Sequence, residues 1–111
     1  MEKERGYIEG YAEVMERLGG SEALLDRLLI KFRDSYGNSR ADFDSCLSSG
    51  KLEDAYRIVH SIKGVSANLG LGEVWRTAII LEARLREGEY TLIDGEREAF
   101  FLALEKAASA I

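Results

Sequence analysis

Hydrophobic and polar residues alternate with helical spacing through most of the chain. The clearest run lies between Leu52 and Gly70, where apolar or small residues recur at alternating steps of three and four. This spacing is typical of a helix that buries one stripe of its surface. The stripe consists of Leu52, Ala55, Val59, Ile62, Ser66 and Leu69. We therefore predict an amphipathic helix over residues 52–70.

The same periodicity predicts three further long helices. Ser21 is a good N-cap residue for a helix whose apolar positions continue to Leu47. We expect that helix to run without interruption through Gly37-Asn38-Ser39, because the apolar residues stay close to helical phase on both sides. The four predicted ranges are 21–48, 52–70, 73–87 and 92–110.

A shorter helix precedes these four. Apolar residues recur at helical spacing from Tyr7 to Leu18, and Gly19-Gly20 then ends the pattern. The residues before Tyr7 are charged, and we expect them to be frayed. No stretch shows the alternation of a β-strand. The predicted fold is all-α, an antiparallel four-helix bundle with a short additional N-terminal helix, and residues 1–111 form one domain of this kind.

His60 is the only histidine, and its own helix places it away from the core. On a helical wheel it lies about 160° from Ile62, the centre of the apolar arc. Lys63 follows one turn later, beside Gly64, although glycine in a helix interior costs about 1 kcal/mol relative to alanine. Gly64 is either a glycine that the helix tolerates beside a solvated histidine, or a position that leaves space for a large group approaching the imidazole. An exposed nucleophile with a nearby cation fits a phosphoryl acceptor better than a zinc site, which needs more ligands than one histidine and one cysteine.

The sequence His60-Ser-Ile-Lys63-Gly64, followed by Ala67-Asn68-Leu69-Gly70, resembles the signature of histidine-containing phosphotransfer (HPt) domains. These domains are the helical-bundle carriers of His–Asp phosphorelays. The similarity extends to residues 28–32, 81–82 and 85–88, although Lys51 stands where many relatives have an acidic N-cap. The resemblance implies that Nε2 of His60 receives the phosphoryl group from a receiver-domain aspartate. The sequence does not show which residue binds the other ring nitrogen.

The neighbours of His60 receive roles under this interpretation. Lys63 would stabilise the charge of the phosphoryl group, with an ordinary solvated lysine as the alternative. Gly64 would clear the path of the docking partner. The predicted partner-binding residues are Tyr56, Arg57, Ala67, Asn68 and Leu71, with a structural role equally open for Asn68; Ile8 and Tyr11 would add an apolar patch. We interpret Trp75, Ile79 and Ile80 as core or groove-filling residues.

Composition limits the remaining possibilities. The chain is 46% hydrophobic and carries a net charge of −5, which argues against binding nucleic acid or an anionic membrane through bulk electrostatics. No run of about 18 apolar residues is present. Cys46, the only cysteine, has the spacing of a small core residue, and a reducing compartment is expected. We expect a cytoplasmic monomer, and a place in the cytosolic part of a membrane-bound hybrid kinase stays open.

The predicted function is a phosphohistidine carrier that passes phosphoryl groups between receiver domains through His60. A cognate histidine kinase would be the other partner, because the sequence has no ATP-binding motif and is not expected to be an enzyme. No cofactor of its own is expected, and Mg²⁺ would sit on the partner receiver domain. One alternative is an adaptor that docks receivers without transfer. Another is a phosphoacceptor domain of a chemotaxis-type kinase, but residues 74–82 lack the second histidine often found there.

Overall fold

Six helices form the part of the chain that the computed structural model describes, residues 5–111. They are α1 Tyr11–Arg17, α2 Glu22–Tyr36, α3 Ser39–Ser48, α4 Leu52–Leu69, α5 Gly72–Arg86 and α6 Asp94–Ala110. Helices α2 and α3 follow one another and pack against α4, α4 packs against α5, and α5 packs against α6, which returns to α2. The four-helix bundle with a short additional N-terminal helix is therefore confirmed, with α2 and α3 sharing one of its four positions.

The core is built from the apolar stripes of these helices. Ala55, Val59, Ile62 and Leu69 of α4 are buried as predicted, whereas Leu52 lies exposed at the helix start. Phe101 contacts two other rings, Phe43 at 5.2 Å and its neighbour Phe100 at 4.8 Å between centroids, and the contact with Phe43 joins α3 to α6. Between residues 5 and 111, no helix has the length and apolar character needed to cross a membrane.

The prediction of one continuous helix over 21–48 is wrong. Gly37 and Asn38 separate α2 from α3, although Gly37 keeps near-helical dihedral angles, φ −57° and ψ −25°. A Cβ atom at Gly37 would lie 2.6 Å from the Arg33 carbonyl oxygen and 3.2 Å from Cβ of Ala108 on α6. The interruption is short and nearly helical, so the apolar periodicity continues across it and does not reveal it.

The first helix begins later than predicted, at Tyr11 rather than Tyr7. The segment before it turns and packs against the connection between α4 and α5, where the Glu9 amide donates to the Gly70 carbonyl oxygen at 2.7 Å. Ile8 is buried by this contact. The prediction of frayed residues at the N-terminus concerns positions that lie mostly outside the described range.

Two helix starts behave as the sequence indicates. The Ser21 hydroxyl accepts a hydrogen bond from the Leu24 amide at 3.1 Å, which is the expected N-cap of α2. Lys51 gives α4 no side-chain cap, but Glu53 and Asp54 place negative charge in its first turn. Helix α4 ends at Leu69, and the following Gly70, with a φ of +70°, turns the chain within two residues into α5. This short connection places α5 antiparallel to α4, beside the exposed face that carries His60.

Candidate functional site

His60 lies on the outer face of α4, as predicted, with 57% of its side chain exposed. Its Nδ1 atom is 2.8 Å from Oε2 of Glu82 on α5. An ionised carboxylate can only accept hydrogen bonds, so Nδ1 carries the proton in this pair. The lone pair of a neutral ring then lies on Nε2, which makes no hydrogen bond within the described residues. The arrangement presents Nε2 to solvent as a nucleophile.

Glu82 is a buried carboxylate that three side chains bind. Its side chain is only 3% exposed. Oε2 accepts from His60, while Oε1 accepts from Lys63 Nζ at 2.8 Å and from Arg86 Nη2 at 2.5 Å. Burial opposes ionisation, but the hydrogen bonds from Lys63 and His60 outweigh it, so the pKa of Glu82 lies below its usual range. Glu82 is therefore an anion at neutral pH.

Tyr56 and Arg86 complete the surroundings of the imidazole. The Tyr56 ring, one turn before His60 on α4, is nearly parallel to the imidazole, with centroids 5.8 Å apart and 13° between the planes. Arg86 donates a hydrogen bond to the Tyr56 hydroxyl at 3.1 Å. We call Tyr56, His60, Lys63, Glu82 and Arg86 the histidine cluster. It joins α4 to α5 and contains three basic side chains around one carboxylate.

The helix surface beyond His60 is open. Gly64 lies one turn later, and a Cβ atom added there would have no heavy atom within 4 Å apart from its chain neighbours and the helix backbone. Ala67, the next exposed position along this face, is small. Lys63 does not project freely, because its ammonium lies on Glu82 and its side chain is 27% exposed. A group that approaches His60 from the Gly64 side therefore meets little steric hindrance.

Most of the predicted partner-binding residues lie on this surface, but Leu71 does not. Arg57, Ala67 and Asn68 are exposed and Tyr56 is half-buried, whereas Leu71 is 1% exposed and belongs to the core. Placing the Leu71 side chain on a docking surface is therefore a mistake, because the chain turns at Gly70 and the helical wheel of α4 no longer applies. Ile8 is likewise buried and offers little apolar surface.

Two further interpretations change. Glu82 was not assigned a role from sequence, although a charged residue between Leu81 and Leu85 in the buried stripe of α5 indicates a carboxylate that needs a partner. Trp75, Ile79 and Ile80 are exposed by 40%, 39% and 55%, so the core alternative of their interpretation is wrong, while Trp75 does line a groove with Gly10 and Ala67. Within residues 5–111, no group of three or more His, Cys, Asp or Glu side chains is placed to hold a metal ion.

Comparison with known proteins adds one match. The sequence model of the Hpt domain family matches residues 11–111, a span that contains all six helices and the whole histidine cluster. No curated protein and no solved structure matches the chain significantly.

Proposed function

Because this chain belongs to the Hpt domain family, we propose that it carries a phosphoryl group on Nε2 of His60 between the aspartates of receiver domains. One observation supports this most directly: His60 is exposed, and its Nδ1 is bound to the buried carboxylate of Glu82. That pairing leaves Nε2 as the reactive nitrogen. A histidine kinase would supply the phosphoryl group at the start of the relay, and this chain would contribute no ATP site.

The bonds that form and break in the proposed transfer involve only the imidazole and the partner's aspartyl phosphate. The Nε2 lone pair attacks phosphorus and forms the P–N bond, while the P–O bond to the aspartate breaks and its electron pair stays on the departing carboxylate. The ring becomes positively charged, because Nδ1 keeps its proton. The Glu82 carboxylate, 2.8 Å from Nδ1, stabilises that charge. Transfer to a second receiver reverses these steps.

The other residues assist by charge and by space. The Lys63 ammonium can move from Glu82 to a phosphoryl oxygen, and Arg86 then remains as a partner of Glu82. Neutralising the phosphoryl oxygens is a main requirement of phosphoryl transfer. Gly64 would leave room for the receiver to approach. Mg²⁺ bound by the receiver would supply the remaining positive charge.

The experiment that tests the proposal is labelling by a phosphorylated receiver domain in the presence of Mg²⁺. We expect an acid-labile, alkali-stable label on the wild-type protein and none on His60→Gln. Because His60 is exposed, the variant should fold normally, and circular dichroism and urea unfolding provide the control. A label that persists on folded His60→Gln would contradict the proposal. Receiver binding without any label on the wild type would indicate an adaptor instead.

A further inference from the structure

The histidine cluster contains a closed ring of contacts that begins and ends at the same imidazole. Tyr56 stacks on His60, and its hydroxyl accepts a hydrogen bond from Arg86. Arg86 also donates to Glu82 Oε1, and Glu82 Oε2 accepts from His60 Nδ1. Each of the four side chains therefore has two partners within the ring.

The hydrogen bond to Glu82 alone does not fix the plane of the imidazole. The χ2 torsion of histidine is broad, and one hydrogen bond at Nδ1 is a single restraint on two torsions, so coupled changes of χ1 and χ2 can still tilt the ring while the bond is kept. Rotation changes the direction of Nε2, and in-line attack on phosphorus depends on that direction. A second contact on the face of the ring removes this freedom. Tyr56 provides such a contact.

Tyr56 differs from a tyrosine that only fills the core. It is half-buried, and its hydroxyl is held by Arg86, whose side chain is 62% exposed. The Tyr56 ring lies one turn before His60 and stacks against the imidazole, while Gly64 lies one turn after His60 and leaves open space on the helix surface. The cluster is thus covered toward the start of α4 and accessible toward its end.

We propose that Tyr56 is a positioning residue that fixes the plane of the His60 imidazole, with Arg86 holding Tyr56 in place. Nε2 then points away from Glu82, and the receiver approaches from the Gly64 side. The effect of Tyr56 on phosphoryl transfer rests on the proposed function. Its effect on the orientation of the imidazole can be measured in the unphosphorylated protein and does not depend on that function.

Three variants separate the parts of the ring. Tyr56→Leu removes the aromatic ring that stacks on His60. Tyr56→Phe keeps the aromatic ring but removes the hydroxyl that Arg86 binds. Arg86→Gln keeps Tyr56 and removes the guanidinium that binds its hydroxyl. Tyr7→Leu is the matched control, since Tyr7 is another half-buried tyrosine and lies at a different place, where it lines a pocket with Leu71 and Lys106. Urea unfolding identifies any variant that is not folded.

The first measurement is NMR of the unphosphorylated protein. Ring nitrogen shifts give the fraction of His60 with its proton on Nδ1, and carbon relaxation gives the order parameter of the ring. We expect Tyr56→Leu to lower the order parameter of the ring while the tautomer, which Glu82 sets, stays largely unchanged. Tyr56→Phe and Arg86→Gln should lower the order parameter less, and Tyr7→Leu should not change it. An unchanged order parameter in folded Tyr56→Leu would overturn the proposal, even if the wild type proved unable to accept phosphate.

The second measurement is the rate of labelling at saturating phosphorylated receiver. We expect Tyr56→Leu to lower this rate about tenfold, less than the roughly 100-fold that a 1 Å misplacement can cost, because Glu82 still holds Nδ1. Tyr56→Phe should stay within about threefold. A Tyr56→Leu rate that is normal at saturation, with only a higher receiver concentration needed, would identify Tyr56 as a docking contact and overturn the positioning role. If the wild type is not labelled at all, the proposed function fails while the NMR result still decides on Tyr56.

Discussion

A single buried carboxylate determines how His60 can react. An exposed histidine on a helix ordinarily has both ring nitrogens in contact with water, and its tautomer is not fixed. Here Glu82, 22 positions later in the chain, occupies Nδ1 and leaves Nε2 free. Hydrogen bonds from Lys63 and from His60 itself keep the same carboxylate charged despite its burial. The reactivity of His60 thus depends on a residue of the neighbouring helix.

Gly64 offers a test in which stability and function should change in opposite directions. Alanine fits there without a clash, since an added Cβ has no neighbour within 4 Å. Gly64→Ala should raise the free energy of unfolding by about 0.5–1 kcal/mol, because alanine favours the helix more than glycine does. The labelling rate should fall, and Gly64→Gln should lower it further, because a side chain then occupies the approach to His60. Urea unfolding and receiver labelling measure the two effects.

The matched control is Gly95→Ala in α6, which also lies exposed in a helix with open space around an added Cβ. It should leave the labelling rate unchanged. If Gly64→Gln transferred at the wild-type rate, the open space beside His60 would have no role in docking.

At the scale of elements, the connection between α4 and α5 explains a glycine that the HPt-like signature contains. Gly70 has φ +70°, and an added Cβ would lie 2.4 Å from the Glu9 carbonyl oxygen and 2.9 Å from Cγ2 of Val14. The segment before α1 packs directly on this turn. Gly70 therefore has a structural function, because it terminates α4 and leaves room for the segment before α1 to pack on the turn.

Gly70→Ala should lower the free energy of unfolding by about 2–4 kcal/mol, because a left-handed conformation and an overpacked contact both oppose alanine. Gly72→Ala is the comparison. The three atoms nearest to its added Cβ all belong to the Glu9 carboxylate, which can rotate away at the cost of its exposed ion pair with Arg76. Urea unfolding should show the larger loss for Gly70→Ala. Equal losses for the two variants would contradict the role given to the left-handed turn. The folded fraction of each variant should still be labelled at the normal rate.

These elements also show what the sequence can and cannot predict. The stripe of α4 predicted its burial and the exposure of His60, because both depend on periodicity within one helix. The partner of Nδ1 depends on how α5 packs against α4, and helical spacing contains no such information. The same limit applies to Leu71, which lies beyond the last residue of α4, and to Trp75, whose exposure depends on which neighbours cover α5. The break at Gly37 was missed because the phase of the apolar residues survives it.

At the scale of the whole molecule, ion pairs close the bundle between α3 and α6. Arg40 of α3 binds Glu105 through two hydrogen bonds, of 2.8 and 2.9 Å, and Glu98 through one of 2.7 Å. Its guanidinium also lies over the Phe101 ring at 5.4 Å. Arg97 of α6 reaches back to Asp44 of α3 at 3.2 Å. These contacts hold the segment after the Gly37 break against the last helix, and one of them, the pair of Arg40 with Glu105, is predicted to depend on pH.

Glu105 carries the predicted pH dependence. The hydrogen bonds from Arg40 lower the pKa of Glu105 despite partial burial. Because the folded-state pKa lies below the unfolded value of about 4.3, the unfolded chain binds the proton first as the pH falls. The stabilisation is therefore complete at neutral pH, begins to decline near pH 5 and is lost as the pH drops through the folded-state pKa. Glu105→Gln should reproduce the acid form at every pH.

We expect Glu105→Gln to lower the free energy of unfolding by about 0.5–1 kcal/mol at pH 7, since the pair is partly exposed to solvent. The difference from wild type should shrink steadily in urea unfolding between pH 5 and about pH 3. Glu16 is exposed in α1 and has no ion pair in the described part of the chain. The free energy of unfolding of Glu16→Gln should therefore stay close to that of wild type from pH 7 down to about pH 3. If Glu105→Gln differed from wild type by the same amount at pH 5 and at about pH 3, the Glu105 side chain would act through packing. Charge pairing would then not hold α3 against α6.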